Sequence, residues 1–149
     1  MPDFLAVYTL SAYDCATSHK ESSGILKEIM AKILVVDDDK GATDLLEAIL
    51  LATGHQPLVV NESSKAMDVA NQEKPDMILL DLMMPEPTGF QLCRMFRQNP
   101  SFRVTPIVII TALDNTDSRV VAIGAGANGF LRKPFHVSDL TDKIKDLLP

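Results

Sequence analysis

Asp37, Asp38, Asp81, Thr111 and Lys133 can handle a phosphoryl group, and each stands just after an apolar run. Ile33 to Val36 runs into Asp37-Asp38-Asp39, and Met77 to Leu80 runs into Asp81. Pro106 to Ile110 runs into Thr111, and Phe130-Leu131 leads through Arg132 to Lys133-Pro134. If the runs are parallel strands, all four endings lie along one edge of one sheet. That edge then carries a carboxylate cluster, a hydroxyl and an ammonium, a set suited to a divalent metal and a phosphoryl group. A carboxylate such as Asp81 is a competent nucleophile toward phosphorus. Two unit charges 4 Å apart repel by roughly 4 kcal/mol at an effective dielectric of 20, so converging aspartates call for a cation between them.

The elements that position these residues follow from apolar patterning bounded by turn residues. Strands are expected at Lys32–Val36, Gln56–Val60, Met77–Leu80, Pro106–Ile110 and Ala127–Leu131. Thr43, Leu46, Leu50 and Thr53 mark one face of a first helix that Gly54 ends. Further helices are expected at Ser64–Glu73, Gly89–Gln98 and Thr116–Gly124. Val137, Leu140, Ile144, Leu147 and Leu148 trace a fifth, with Asp139 and Lys143 spaced as an i,i+4 ion pair. Alternating strands and helices imply an α/β fold, a doubly wound parallel sheet covered on both faces. The first, third and fourth strands are continuous aliphatic runs, as central strands should be. Pro57 in the second and Asn128-Gly129 in the fifth mark edges. The order 2-1-3-4-5 with right-handed crossovers satisfies this, and it is the flavodoxin-like order. Its switch point lies between strands one and three, where Asp37-Asp38 and Asp81 end their strands.

Composition excludes several classes. The 149 residues are 46% hydrophobic with a formal net charge of −6, and no basic stripe is present. That argues for one folded domain and against direct nucleic-acid binding. No apolar run approaches the length of a membrane span, and the N-terminus lacks a charged signal-peptide region, so a cytoplasmic location is expected. Cys15 and Cys93 fit no metal or redox spacing and read as reduced thiols. Residues 1–29 stand outside the strand–helix rhythm. They are expected to be disordered or an over-called start, with Met30 the natural one, because Lys27-Glu28 can be encoded as a ribosome-binding sequence. A short amphipathic docking segment from Phe4 to Tyr13 is the rival reading. The domain proper is 30–149.

From Lys32 onward the chain closely resembles the receiver domain of bacterial two-component response regulators. Ile33-Leu34-Val35-Val36-Asp37-Asp38-Asp39, Asp81-Leu82-Met83-Met84-Pro85 with Gly89, Ile109-Ile110-Thr111-Ala112, and Gly126-Ala127 to Lys133-Pro134-Phe135 carry the likeness, in order and at the family's spacing. The resemblance implies that Asp81 is the phosphoacceptor and that Asp38, Asp81 and the Met83 carbonyl bind Mg²⁺, with Asp37 holding it through water. It implies that Thr111, Ala112 and Lys133 receive the phosphoryl oxygens, that Thr111 and Phe130 form the switch, and that Lys133-Pro134 is a cis bond. It also implies a histidine kinase or histidine phosphotransfer protein as donor, since His19, His55 and His136 sit in no phosphotransfer helix. The downstream face that the resemblance implies is the fourth helix, fifth strand and fifth helix. The fifth helix ends the chain, which looks like a stand-alone receiver acting as a phosphoacceptor rather than an enzyme, and a homodimer on phosphorylation stays open. Thr88 stands where Asp is frequent, and Phe130 where Tyr is usual.

Three other readings compete. An aspartyl-phosphate phosphohydrolase usually carries a second Asp two residues after its nucleophile, and that position here is Met83. A nucleotide or flavin module needs an anion-binding loop after the first strand, and that loop here is Asp37-Asp38-Asp39. A receiver-like module that works without phosphorylation is weakened by the complete set of site residues.

Overall fold

The computed structural model describes residues 31–113 and 115–148. The expectations for residues 1–29 lie outside them. Five strands, β1 (Lys32–Val36), β2 (Gln56–Val60), β3 (Met77–Leu80), β4 (Ile107–Thr111) and β5 (Gly129–Arg132), pair in parallel in the order β2-β1-β3-β4-β5. The helices are α1 (Lys40–Ala52), α2 (Ala66–Glu73), α3 (Gly89–Gln98), α4 (Thr116–Gly124) and α5 (Val137–Leu147).

Successive strand residues feed opposite cores. Ile33, Val35, Leu79, Val108 and Ile110 meet Leu46 and Leu50 of α1 and Leu140 and Ile144 of α5. Leu34, Val36, Ile78, Leu80 and Ile109 meet Ala66 and Ala70 of α2, Leu92 and Phe96 of α3, and Ala122 of α4. Burial on both faces is why β1, β3 and β4 read as unbroken apolar runs. The strands carrying Pro57 and Gly129 are the two edges, as their composition requires. Among the described residues, no helix is long and apolar enough to cross a membrane.

Several boundaries differ from the sequence expectation. β4 starts at Ile107, because Pro106 has no N–H to give the ladder; its carbonyl instead accepts from Ile78 N at 2.9 Å. Thr111 belongs to β4, and its carbonyl accepts from Lys133 N at 2.9 Å. β5 starts at Gly129 and runs to Arg132. Asn128 precedes it as a side-chain bridge, its Oδ1 accepting the Ile107 N–H at 2.8 Å. The expected second helix divides into a 3₁₀ turn, Ser63–Lys65, and α2. Thr53 is the C-cap of α1, and Gly54 follows at φ 89°, the left-handed geometry foreseen for it. Val137 is 53% exposed and leaves the inward stripe to Leu140 and Ile144. Asp139 Oδ2 turns back to accept the His136 N–H at 3.2 Å, capping α5.

Candidate functional site

The four apolar runs end where the sequence places them, along the carboxyl edge of the sheet. At the end of β1, Asp37 is 2% exposed; its Oδ1 accepts from Asp39 N at 3.0 Å and its Oδ2 from Lys133 Nζ at 2.7 Å. Asp38, next along, is exposed. Asp39 caps α1, its Oδ1 accepting from Gly41 N at 2.9 Å and Ala42 N at 3.3 Å, so its carboxylate is spent on the helix.

Asp81 ends β3 and is buried. Its Oδ1 accepts from Leu82 N at 2.9 Å, and its Oδ2 lies 4.0 Å from Lys133 Nζ. Burial lifts the Asp81 carboxyl above its ordinary range. A hydrogen bond with Thr111 opposes the rise, the nearby Asp37 charge adds to it, and Lys133 and the Met83 backbone oppose it. Gly89 opens α3 directly behind this strand end: a Cβ there would collide with the Asp81 carbonyl and come within 2.6 Å of Leu82 Cα. Thr88 caps α3 in a reciprocal box with Gln91, so the absent loop Asp is replaced by a local cap.

Asp37, Asp38 and Asp81 each offer a carboxylate oxygen, and these oxygens lie within 4.8 Å of one another. Three acidic oxygen donors at that spacing fit a hard divalent cation. The Met83 side chain is 59% exposed beside the cluster. Thr111 is fully buried, its Oγ1 accepting from Leu113 N at 3.3 Å, and Ala112 follows it at the surface. Lys133 is followed by a cis bond to Pro134, and Glu86-Pro87 is cis as well. Phe130 is 8% exposed, with the Arg119 guanidinium 4.7 Å from its ring centroid.

Residues 33–145 match the family model for the response regulator receiver domain. The chain belongs to that family. Receiver domains are signalling modules that bind Mg²⁺ at an acidic pocket, and the aspartate cluster has the composition of one. Over 117 residues the chain is 39% identical to the response regulator PleD of Caulobacter vibrioides, covering 78% of this chain and 26% of PleD. It is 34% identical to the response regulator MprA of Mycobacterium leprae, covering 78% of this chain and 50% of MprA. The receiver thus spans a quarter to a half of these relatives' lengths. Chemotaxis protein CheY4 of Vibrio cholerae superposes with a TM-score of 0.77 at 28% identity, covering 80% of this chain and 99% of that one. The receiver domain of sensor histidine kinase PA1611 from Pseudomonas aeruginosa, solved with magnesium coordinated in its active site cleft, gives 0.74 at 28% identity, covering 79% and 97%.

Sequence reasoning passed over Asn61, Ser63, Arg97 and Arg119. Asn61 Nδ2 donates to the Asp37 carbonyl, and Ser63 Oγ to that of Pro85. Arg97 binds the carbonyls of Phe102, Thr105 and Gly126.

Proposed function

We propose that this receiver accepts a phosphoryl group on Asp81 from the phosphohistidine of a histidine kinase or phosphotransfer protein, and that the acyl phosphate changes which partner it binds. The observation that carries the reading is the convergence of the Asp37, Asp38 and Asp81 carboxylates within 4.8 Å, with Lys133 alongside. Asp81 Oδ1 is held by the Leu82 N–H, and Oδ2, on the Lys133 side, is the oxygen assigned to attack. That oxygen forms a bond to phosphorus as the phosphorus–nitrogen bond breaks, and the donor imidazole leaves with the bonding pair and takes a proton. Asp37, Asp38, Asp81 and the Met83 carbonyl are the groups that would hold Mg²⁺, which supplies charge neutralisation and polarises the phosphoryl oxygen. Lys133 is close enough to move from Asp37 onto the phosphoryl group, and Thr111 and the Ala112 N–H supply further donors. Withdrawal of Thr111 toward the phosphoryl group makes room beside Phe130, and the α4–β5–α5 surface changes with it. His136 sits at the start of α5 rather than within a helix, in keeping with a donor histidine on another protein.

Incubation with Mg²⁺ and acetyl phosphate, followed by intact mass of wild type and Asp81→Asn, tests the reading. A single phosphoryl adduct confined to wild type supports it. Steady phosphate release from many phosphomonoesters favours a phosphohydrolase, and no adduct at all favours a module that works without phosphorylation.

A further inference from the structure

The segment that follows β2 is tied by side chains to both loops that carry the acidic cluster. Asn61 Nδ2 donates to the Asp37 carbonyl at 2.9 Å and to Thr43 Oγ1 at 2.9 Å. Thr43 is fully buried and passes its own proton to the Lys40 carbonyl at 3.1 Å, so the β1–α1 turn is held at two points. Two residues beyond Asn61, the buried Ser63 hydroxyl donates to the Pro85 carbonyl at 3.0 Å. Asp37 and Asp38 lie on the first tied loop. Pro85 lies two residues past Met83, on the second.

Neither Asn61 nor Ser63 belongs to the acidic cluster. Asn61 instead holds the backbone of Asp37 itself, and Ser63 holds Pro85, four residues past Asp81 on the loop that carries Met83. The three carboxylates repel one another, so the loops tend to spread unless something resists. Three side-chain hydrogen bonds from one short segment resist spreading on both sides at once.

We propose that Asn61 and Ser63 are positioning residues that fix the gap between the β1–α1 and β3–α3 loops and so make the site favour a small divalent cation over a large one. The inference rests on the reading of Asp37, Asp38 and Asp81 as metal ligands. Mg²⁺ demands near-octahedral geometry at about 2.0–2.1 Å, whereas Ca²⁺ accepts irregular shells at about 2.3–2.6 Å. Tied loops meet the first demand. Freed loops relax outward and suit the second.

Calorimetric titration of the full chain with Mg²⁺ alone and with Ca²⁺ alone tests this in wild type, Asn61→Ala, Ser63→Ala and the double variant. Asn99→Ala is the control, since Asn99 Nδ2 makes a comparable amide hydrogen bond to Asn71 Oδ1 away from the cluster. Each single change at the tie should weaken Mg²⁺ binding about tenfold, the lower end for residues that orient ligands. Ca²⁺ binding should weaken less, so the Mg²⁺/Ca²⁺ ratio falls, while the control leaves it unchanged. Variants that lose thermal stability yet keep the wild-type ratio, measured well below their melting temperature, overturn the proposal and leave both residues as ordinary struts. Should Asn61→Ala fail to fold, Ser63→Ala decides the matter. If wild type takes up neither ion, the metal reading fails first and this inference falls with it.

Discussion

Lys133 Nζ donates to Asp37 Oδ2 at 2.7 Å while standing 4.0 Å from Asp81 Oδ2. The ammonium therefore balances the Asp37 carboxylate, yet remains within a short swing of Asp81, the proposed nucleophile. It also occupies charge that a cation would otherwise meet. Lys133→Ala is expected to tighten Mg²⁺ binding about tenfold, roughly 1.4 kcal/mol. The same change should slow phosphorylation by acetyl phosphate, because the incoming group loses its point cation. Titration calorimetry and the time course of the intact-mass adduct check the two effects; movement of both in the same direction would count against the assignment.

Asp81 gives a pH prediction. Its carboxyl is raised above the ordinary 3.8, chiefly by burial, so the folded chain binds that proton more tightly than the unfolded chain does. Stability from this group is greatest below the unfolded value. It falls as pH rises from 3.8 through the folded-state value, and above that the ionised acid is a fixed penalty. Asp81→Asn should therefore raise the melting temperature at neutral pH in metal-free buffer. The gain should vanish as pH falls through the carboxylate range. If Mg²⁺ binds as proposed, its excess should stabilise wild type by mass action and narrow the difference at neutral pH. A gain independent of pH would mean that the Asp81 charge is not the cause.

The placement of the candidate site was legible because its residues terminate apolar runs, and a strand ending is visible in sequence. Asp37, Asp81, Thr111 and Lys133 all follow that rule. β1, β2 and β3 were legible to the residue for the same reason. β4 and β5 slipped at Pro106 and Asn128: Pro106 accepts from Ile78 N but has no N–H to give, and Asn128 adds a side-chain bond to Ile107 N beside its backbone bond to Ile107 O. Asn61, Ser63 and Arg97 were invisible for a different reason. Their partners are mainly carbonyl oxygens, which every residue carries, and Asp37, Pro85 and Gly126 lie 24, 22 and 29 residues away. No spacing or residue type marks such a pairing.

On the proposed reading, Met83, two residues after Asp81, and Leu113, two after Thr111, would flank the approach to the acyl phosphate with apolar side chains. Met83 is exposed, and Leu113 is partly buried against the core cluster that includes Phe130. Neither can orient or deprotonate an attacking water, so self-dephosphorylation is expected to be slow. Met83→Asn and Leu113→Glu should each shorten the phosphoryl lifetime, the pair by about tenfold or more if they position water as a weak general base does. Decay of the intact-mass adduct after removal of acetyl phosphate measures it. An unchanged lifetime in both singles and the pair would sink the account.

Arg97 spreads its guanidinium over four acceptors. Nε reaches Gly126 O at 2.9 Å, Nη1 reaches Phe102 O and Thr105 O at 2.7 Å each, and Nη2 reaches Asn128 Oδ1 at 2.6 Å. It joins the end of α3 to the loops that enter β4 and β5. Arg97→Ala is expected to cost about 2–4 kcal/mol in denaturant unfolding, since several acceptors lose a charged donor together. Arg97→Lys should recover little, because an ammonium cannot reproduce the planar fork. Full recovery by lysine would show that charge, not geometry, matters.

Arg119 lies over the ring of Phe130, 4.7 Å from its centroid, and joins α4 to the edge strand β5. Phe130 has no hydroxyl, so its rotamer cannot be held by a phenolic hydrogen bond; packing and the cation above its face remain. A cation–π contact at a partly exposed site contributes about 0.5–1 kcal/mol, enough to change a two-state population by about two- to fivefold. Arg119→Ala should therefore loosen the ring in the unphosphorylated protein. Arg119→Lys should hold it better than alanine does, because the charge remains. Aromatic NMR of Phe130, assigned with Phe130→Leu, reads the ring directly. If the ring signals of Arg119→Ala match wild type both before and after phosphorylation, Arg119 does not bias the switch.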